Sequence, residues 1–148
     1  MEKKDLLKDV IKHIDIKSYN STELVDAMRN MSFTSRDTAR AADILMMMCK
    51  EKECTNILTL AGSTSAAGCM QVYVDMVRNK MIDVVVATGA SIIDMDLFEA
   101  LGYKHYIGEK ENVIPDTTLR DLYIDRIYDT YIDEEELQAC DHSTYELA

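Results

Sequence analysis

The chain has no tryptophan, one proline and only five glycines among its 148 residues. So little punctuation excludes collagen-like and low-complexity classes, and it makes the positions of those few glycines informative. No apolar run approaches the eighteen or so residues of a membrane span, and the first residues, MEKKDLLKDVIKH, read as an amphipathic helix rather than a secretory signal. A cytoplasmic protein with no membrane partner is the expectation. Basic residues are outnumbered: 16 Lys and Arg stand against 27 Asp and Glu, a net charge of −11. Phosphate-binding surfaces need clustered Lys and Arg, so nucleic acid is disfavoured as a partner and cationic ligands are favoured. The four cysteines, Cys49, Cys54, Cys69 and Cys140, form no CxxC pair and are not spaced with histidine as zinc ligands, so reduced thiols and no metal site are expected. His13, His105 and His142 are scattered and read as surface residues.

What is present is enough for one ordinary domain: 47% hydrophobic residues over this length can bury a core of normal size. The informative stretch is NILTLAGSTSAAGCMQVYVDMVRNKMIDVVVATGASIIDMD, residues 56–96. Asn56 to Ala61 is a short apolar run that stops at Gly62. A hydroxyl-rich turn follows, Gly62 to Gly68, and then a helix in which Met70, Val74 and Val77 share a face. Val84 to Ala87 is a continuous run fitting a parallel strand buried on both faces. It ends in Thr88, Gly89, Ala90 and Ser91. Two parallel strands that both open into small-residue loops form the kind of crevice in which α/β sheets bind ligands, and a helix start there favours phosphate. GSTSAAG is not GxGxxG, and the ribose-holding acid expected about twenty residues past the glycines is absent, Thr88 standing in its place.

Around this unit the pattern predicts about three N-terminal helices. Leu6, Leu7, Val10, Ile11 and Ile14 make a stripe over 5–14; Asn20 and Glu23 pair at the start of a second helix ending near Ser32; a third starts at Thr34 or Ser35 and runs through Cys49. After the unit, 92–101 reads as helix stopped by Gly102, and 103–107 as a short strand. Residues 108–120, polar and holding Pro115, form the best candidate for a loop that moves or docks elsewhere. Residues 122–132 fit strand or helix equally. Asp133 caps a last helix, with Glu136 at its third position, that reaches the C-terminus without a stop signal.

The order NMSFTSRDTARAADIL, GSTSAAG, NKMIDVVVATGASIIDMDLFEALGYKHYIGE and IDRIYDTYIDEEEL resembles the N-terminal part of the deoxyhypusine synthase family, and within it the deoxyhypusine synthase-like branch that includes homospermidine-forming relatives. The resemblance implies an α/β fold, a Rossmann-like parallel sheet with flanking helices preceded by about three N-terminal helices and incomplete relative to the family. It implies one α/β domain over 1–148, with a helical segment over 1–54 and the first part of an NAD-binding domain over 55–148. Family members use NAD to move the aminobutyl group of spermidine to a protein lysine or another amine. The family's first cofactor segment falls on Gly62, Ser63, Thr64, Ser65 and Ala66, and its second on Thr88, Gly89 and Ala90. Its following acid falls on Asp94, near ribose and polyamine. Asp96 is expected to serve only the helix start.

The family's imine-forming lysine belongs to a C-terminal half absent here, and Lys50, Lys52, Lys80, Lys104 and Lys110 sit in polar contexts expected to be solvated. No catalytic residue is assigned. The resemblance therefore implies the cofactor-binding portion of a transferase, inactive alone and completed by a missing half or by homo-oligomerisation. A non-catalytic regulatory subunit assembling with a full-length relative is the alternative.

Overall fold

The β-branched run at Val84 forms a strand, as its composition predicts. In the computed structural model, which describes residues 1–109 and 113–147, β1 (Ile57–Leu60) and β2 (Val84–Ala87) make a two-stranded parallel sheet. Asn56 organises its entry. The Asn56 amide donates to Asp83 Oδ2 (2.8 Å), its side-chain amide donates to the Met81 carbonyl (3.0 Å), and its own carbonyl accepts from Asp83 and Val84. With its polar groups thus paired, Asn56 is buried.

The chain forms two compact units, one of residues 1–14, 60–70 and 87–148, the other of residues 15–59 and 71–86. The second holds a 3₁₀ turn (Ile16–Ser18), α2 (Thr22–Met28), α3 (Thr34–Lys50), most of the sheet and most of α4 (Met70–Arg78). Helices α2 and α3 pack together. Lys17 pairs at 2.8 Å with the buried carboxylate of Asp75, a contact that holds the acid below its usual range. The expectation of a strand buried on both faces is corrected here: Val84, Val85 and Val86 are 41, 38 and 55% exposed. β2 has one strand neighbour among the described residues.

In the first unit, α1 (Lys3–Leu6) is a single turn. The helix expected over 5–14 is replaced by extended chain, because Val10 and Ile11 find a strand to pair with. Val10 bridges Tyr106, Ile11 N–H donates to the His105 carbonyl (2.8 Å) and Ile107 N–H to that of Asp9 (2.7 Å). Tertiary hydrogen bonds outweigh a short amphipathic stripe of marginal helicity. The helical stretch after β2 is composite: α5 (Gly89–Ser91), a π-helical segment (Ile92–Leu97) and α6 (Phe98–Ala100). Gly102, at φ +102°, ends it.

The ambiguous stretch 122–132 is a hairpin. β4 (Ile124–Ile127) and β3 (His105–Ile107) flank β5 (Thr130–Asp133) in an antiparallel sheet with Ile127 opposite Thr130. The polar stretch 108–120 holds most of α7 (Asp116–Asp121) after Pro115, while Lys110, Glu111 and Asn112 lie outside the described residues. Asp133 caps α8 (Glu134–Leu147) as the sequence predicts, its Oδ1 accepting from the amides of Glu135 (2.9 Å) and Glu136 (3.3 Å). One core cluster gathers Leu6, Leu119, Ile124 and Tyr131; another gathers Ala66, Met95, Phe98, Ile132 and Cys140.

Candidate functional site

Both small-residue loops lie in the first unit, and Ser91 ties them together. The chain leaves β1 through Gly62 at φ +82°, a conformation that favours glycine. Ser91 is buried, and its hydroxyl donates to the Gly62 carbonyl (2.9 Å) while lying 3.1 Å from Thr88 Oγ1. Thr88 N–H reaches back to the Leu60 carbonyl at 3.4 Å. Thr88 is the N-cap of α5, yet its side chain makes no capping bond. Gly89 and Ala90, the first residues of the helical run, therefore have amides with no partner inside the helix.

The sequence-predicted residues divide by exposure. Gly62, Thr88, Gly89 and Ala90 are exposed; Ser63, Thr64 and Asp94 are half-buried; Ser65 and Ala66 are buried. Ala66 packs in the core beneath the loop. A Cβ at Gly62 or Gly89 would meet no atom of the protein within 4 Å, so a ligand can approach the backbone at both. Thr64 Oγ1 is buried with no hydrogen-bond partner, an unmet demand for a polar group close to the same backbone. These features fit a nucleotide. The start of α4 fits it less well than the sequence suggests, because the Cys69 amide is taken by the Thr64 carbonyl and the Met70 amide by His13 Nδ1.

The expectation for Asp96 is corrected. Its carboxylate accepts the Ser65 hydroxyl and so anchors the loop. Asp94 lies near Asp141 of α8; burial, and then that neighbouring charge, push its carboxyl above the usual range. Ser91 and Asp96 are loop anchors that periodicity alone had not marked.

His13 and His105 are not surface residues. Glu99, its side chain 7% exposed, binds His105 Nδ1 at 2.6 Å through one oxygen and His13 Nε2 through the other. His105 is wholly buried, its Nε2 3.1 Å from Met95 Sδ and its ring 5.1 Å from that of Phe98. Burial alone would raise the Glu99 pKa, but the two imidazole bonds outweigh it and hold the carboxyl below its usual range. His142, by contrast, is exposed on α8.

A cavity of about 990 Å³ lies elsewhere in the unit, lined by Asp116, Arg120, Tyr123, Asp125, Arg126 and Glu134 among others. Burial, and then the hydrogen bond to Glu134, push the Asp125 carboxyl up to about 6. A raised acid keeps its proton in the folded state after the unfolded chain has lost it, so stability falls as pH rises from the ordinary aspartate value toward 6. Asp125→Asn, whose amide donates to Glu134 without a titrating proton, should raise the melting temperature at pH 8 by about 2–4 °C, discounted for solvent exposure, and leave it unchanged at pH 4. A thermal unfolding series in pH checks this; an equal effect at both ends would refute the shared proton.

No set of three or more His, Cys, Asp or Glu side chains among the described residues could hold a metal ion, and no helix among them is long and apolar enough to cross a membrane. The profile of the family described as deoxyhypusine synthase matches residues 23–148. A deoxyhypusine synthase-like protein of Caulobacter vibrioides is 63% identical over 146 residues, 99% of this chain and 39% of the relative. One of Coxiella burnetii is 58% identical over 146 residues, covering 99% and 41%. A probable deoxyhypusine synthase 2 of Methanosarcina acetivorans is 36% identical over 135 residues, covering 91% and 38%. The chain thus spans about two-fifths of the length of the curated relatives it matches.

Proposed function

The chain belongs to the deoxyhypusine synthase family, and we propose that it is the N-terminal, NAD-holding portion of an aminobutyl transferase that takes spermidine or a related polyamine as donor. The observation that carries this reading is the pair of open glycine backbones, Gly62 and Gly89, joined through Ser91 beside the unpaired Thr64 hydroxyl. Gly62, Ser63, Thr64, Thr88, Gly89 and Ala90 would face the cofactor, with Ser65 and Ala66 holding the loop from beneath. Bound NAD would supply a hydride acceptor. The crowding of Asp94 by Asp141 favours a cation there, since an ammonium would relieve two neighbouring negative charges.

Lys50, Lys52, Lys80 and Lys104 are exposed and Lys110 lies outside the described residues, so these four lack the desolvated setting that an imine-forming amine needs, and the more buried Lys3 is held by Asp133 (2.6 Å) and Glu135 (2.8 Å). The chain alone is accordingly inactive. A second reading, a non-catalytic subunit that assembles with a full-length relative, is favoured by one feature: the uncovered valines of β2 want a partner surface.

The test is calorimetric titration of NAD into the chain alone and into the chain co-expressed with the remaining three-fifths or so of the Caulobacter relative, the part beyond the matched 39%. Saturable binding by the completed protein is expected. Its absence would remove the cofactor assignment, and a borohydride-trapped aminobutyl adduct on a lysine of the isolated chain would overturn its inactivity. In the completed protein, Asp94→Asn should weaken NAD or spermidine binding by about 1–3 kcal/mol, the usual cost of a lost charge-assisted hydrogen bond. Asp96→Asn should act on the loop instead, lowering stability by about 1 kcal/mol through the bond to Ser65. Equal losses of affinity from the two would show that the ligand-facing acid is misassigned.

A further inference from the structure

The first crevice loop is held from behind by a segment far from it in sequence. Gly68 closes the loop at φ +81°, and a Cβ there would stand 2.9 Å from the Lys12 carbonyl oxygen, so the two backbones lie in direct contact. Ile14 N–H donates to the Gly68 carbonyl at 3.0 Å. One residue earlier, His13 Nδ1 accepts from the Met70 amide at 3.3 Å. Accepting at Nδ1 leaves the imidazole proton on Nε2, where it is donated to Glu99. Glu99 spends its other oxygen on His105, whose carbonyl in turn holds the Ile11 amide. Residues 9–14 are therefore bonded on one side to β3 and on the other to the loop.

We propose that residues 9–14 are a strap that fixes the shape of the Gly62–Gly68 loop, and that His13 is its positioning residue, setting the loop through Met70 while being set itself by Glu99. The strap touches no part of the open backbone at Gly62, so it acts on the ligand only through the loop. Its functional meaning rests on the crevice being the nucleotide site; its structural action does not.

Two near-isosteric substitutions separate the two ends of the imidazole. His13→Asn presents its side-chain oxygen where Nδ1 stands and keeps the Met70 bond; His13→Gln presents its amide nitrogen where Nε2 stands and keeps the Glu99 bond. Hydrogen–deuterium exchange on the 148-residue chain reads the result. Exchange across residues 63–70 should rise roughly tenfold in His13→Gln, about what one lost hydrogen bond permits, and by much less in His13→Asn. Exchange in β5 should stay unchanged in both. Equal acceleration in the two variants, acceleration spread over the whole unit, or none in His13→Gln would each overturn the proposal. In the NAD-binding form completed with the relative's remainder, His13→Gln should also weaken NAD roughly tenfold, with His13→Asn restoring most of the affinity. If wild type binds no NAD, the cofactor reading falls while the exchange result still decides the strap.

Discussion

Glu99→Ala is expected to lower stability by about 3–5 kcal/mol, a drop of roughly 10 °C or more in melting temperature. The loss has two parts. Removing the carboxylate leaves the His13 Nε2–H and the buried His105 Nδ1–H without acceptors, each a desolvated donor costing about 1–3 kcal/mol. It also opens a void beside Phe98, which is fully buried and packs at a tilt of 56° against His105. Glu99→Gln keeps the volume and one acceptor, so roughly half the loss is expected. The pH dependence follows from the lowered carboxyl. A depressed folded pKa gives stability that is present in full above the ordinary glutamate value of 4.5 and is lost as pH falls through the lower folded value. Thermal unfolding of wild type and Glu99→Ala should therefore converge as pH drops from 7 toward 3. A gap that stays constant over that range would mean that the carboxylate charge plays no part.

Gly89→Val in the completed protein should reduce NAD affinity more than about a hundredfold while leaving the far-ultraviolet dichroism unchanged. The two halves of that outcome have separate causes. A side chain at Gly89 meets no protein atom within 4 Å, so folding tolerates it, but it fills the space through which a ligand would reach the backbone. Gly62→Val is a poorer probe. At φ +82° a branched residue is strained whether or not a ligand is present, so lost affinity there would be confounded with lost stability. Unchanged dichroism together with unchanged NAD affinity in Gly89→Val would remove these loops from the site.

The local parts of this fold were readable in advance. The β-branched run Val84 to Ala87, the helix start at Thr34, the Asp133 cap and the Gly102 stop each depend on residues within a few positions of one another, and each is found where the pattern puts it. The family was legible too, because its two glycine loops and the IDRIYDTYI block are contiguous motifs. The environment of β2 was not, since a continuous apolar run reports the need for cover on both faces and not whether this length of chain supplies it.

Determined by the sequence alone, then, were the strand–loop–helix unit and the places of its two glycine loops. Only the tertiary structure decided that residues 8–14 leave the helix their stripe suggests, that 122–132 forms a hairpin, that Asp96 anchors Ser65 and that His13 and His105 close on Glu99. The physical reason is distance along the chain. Ser65 and Asp96 are 31 residues apart and His13 and Glu99 are 86 apart, so the free energy that buries and orients those side chains comes from partners that no local window of sequence contains.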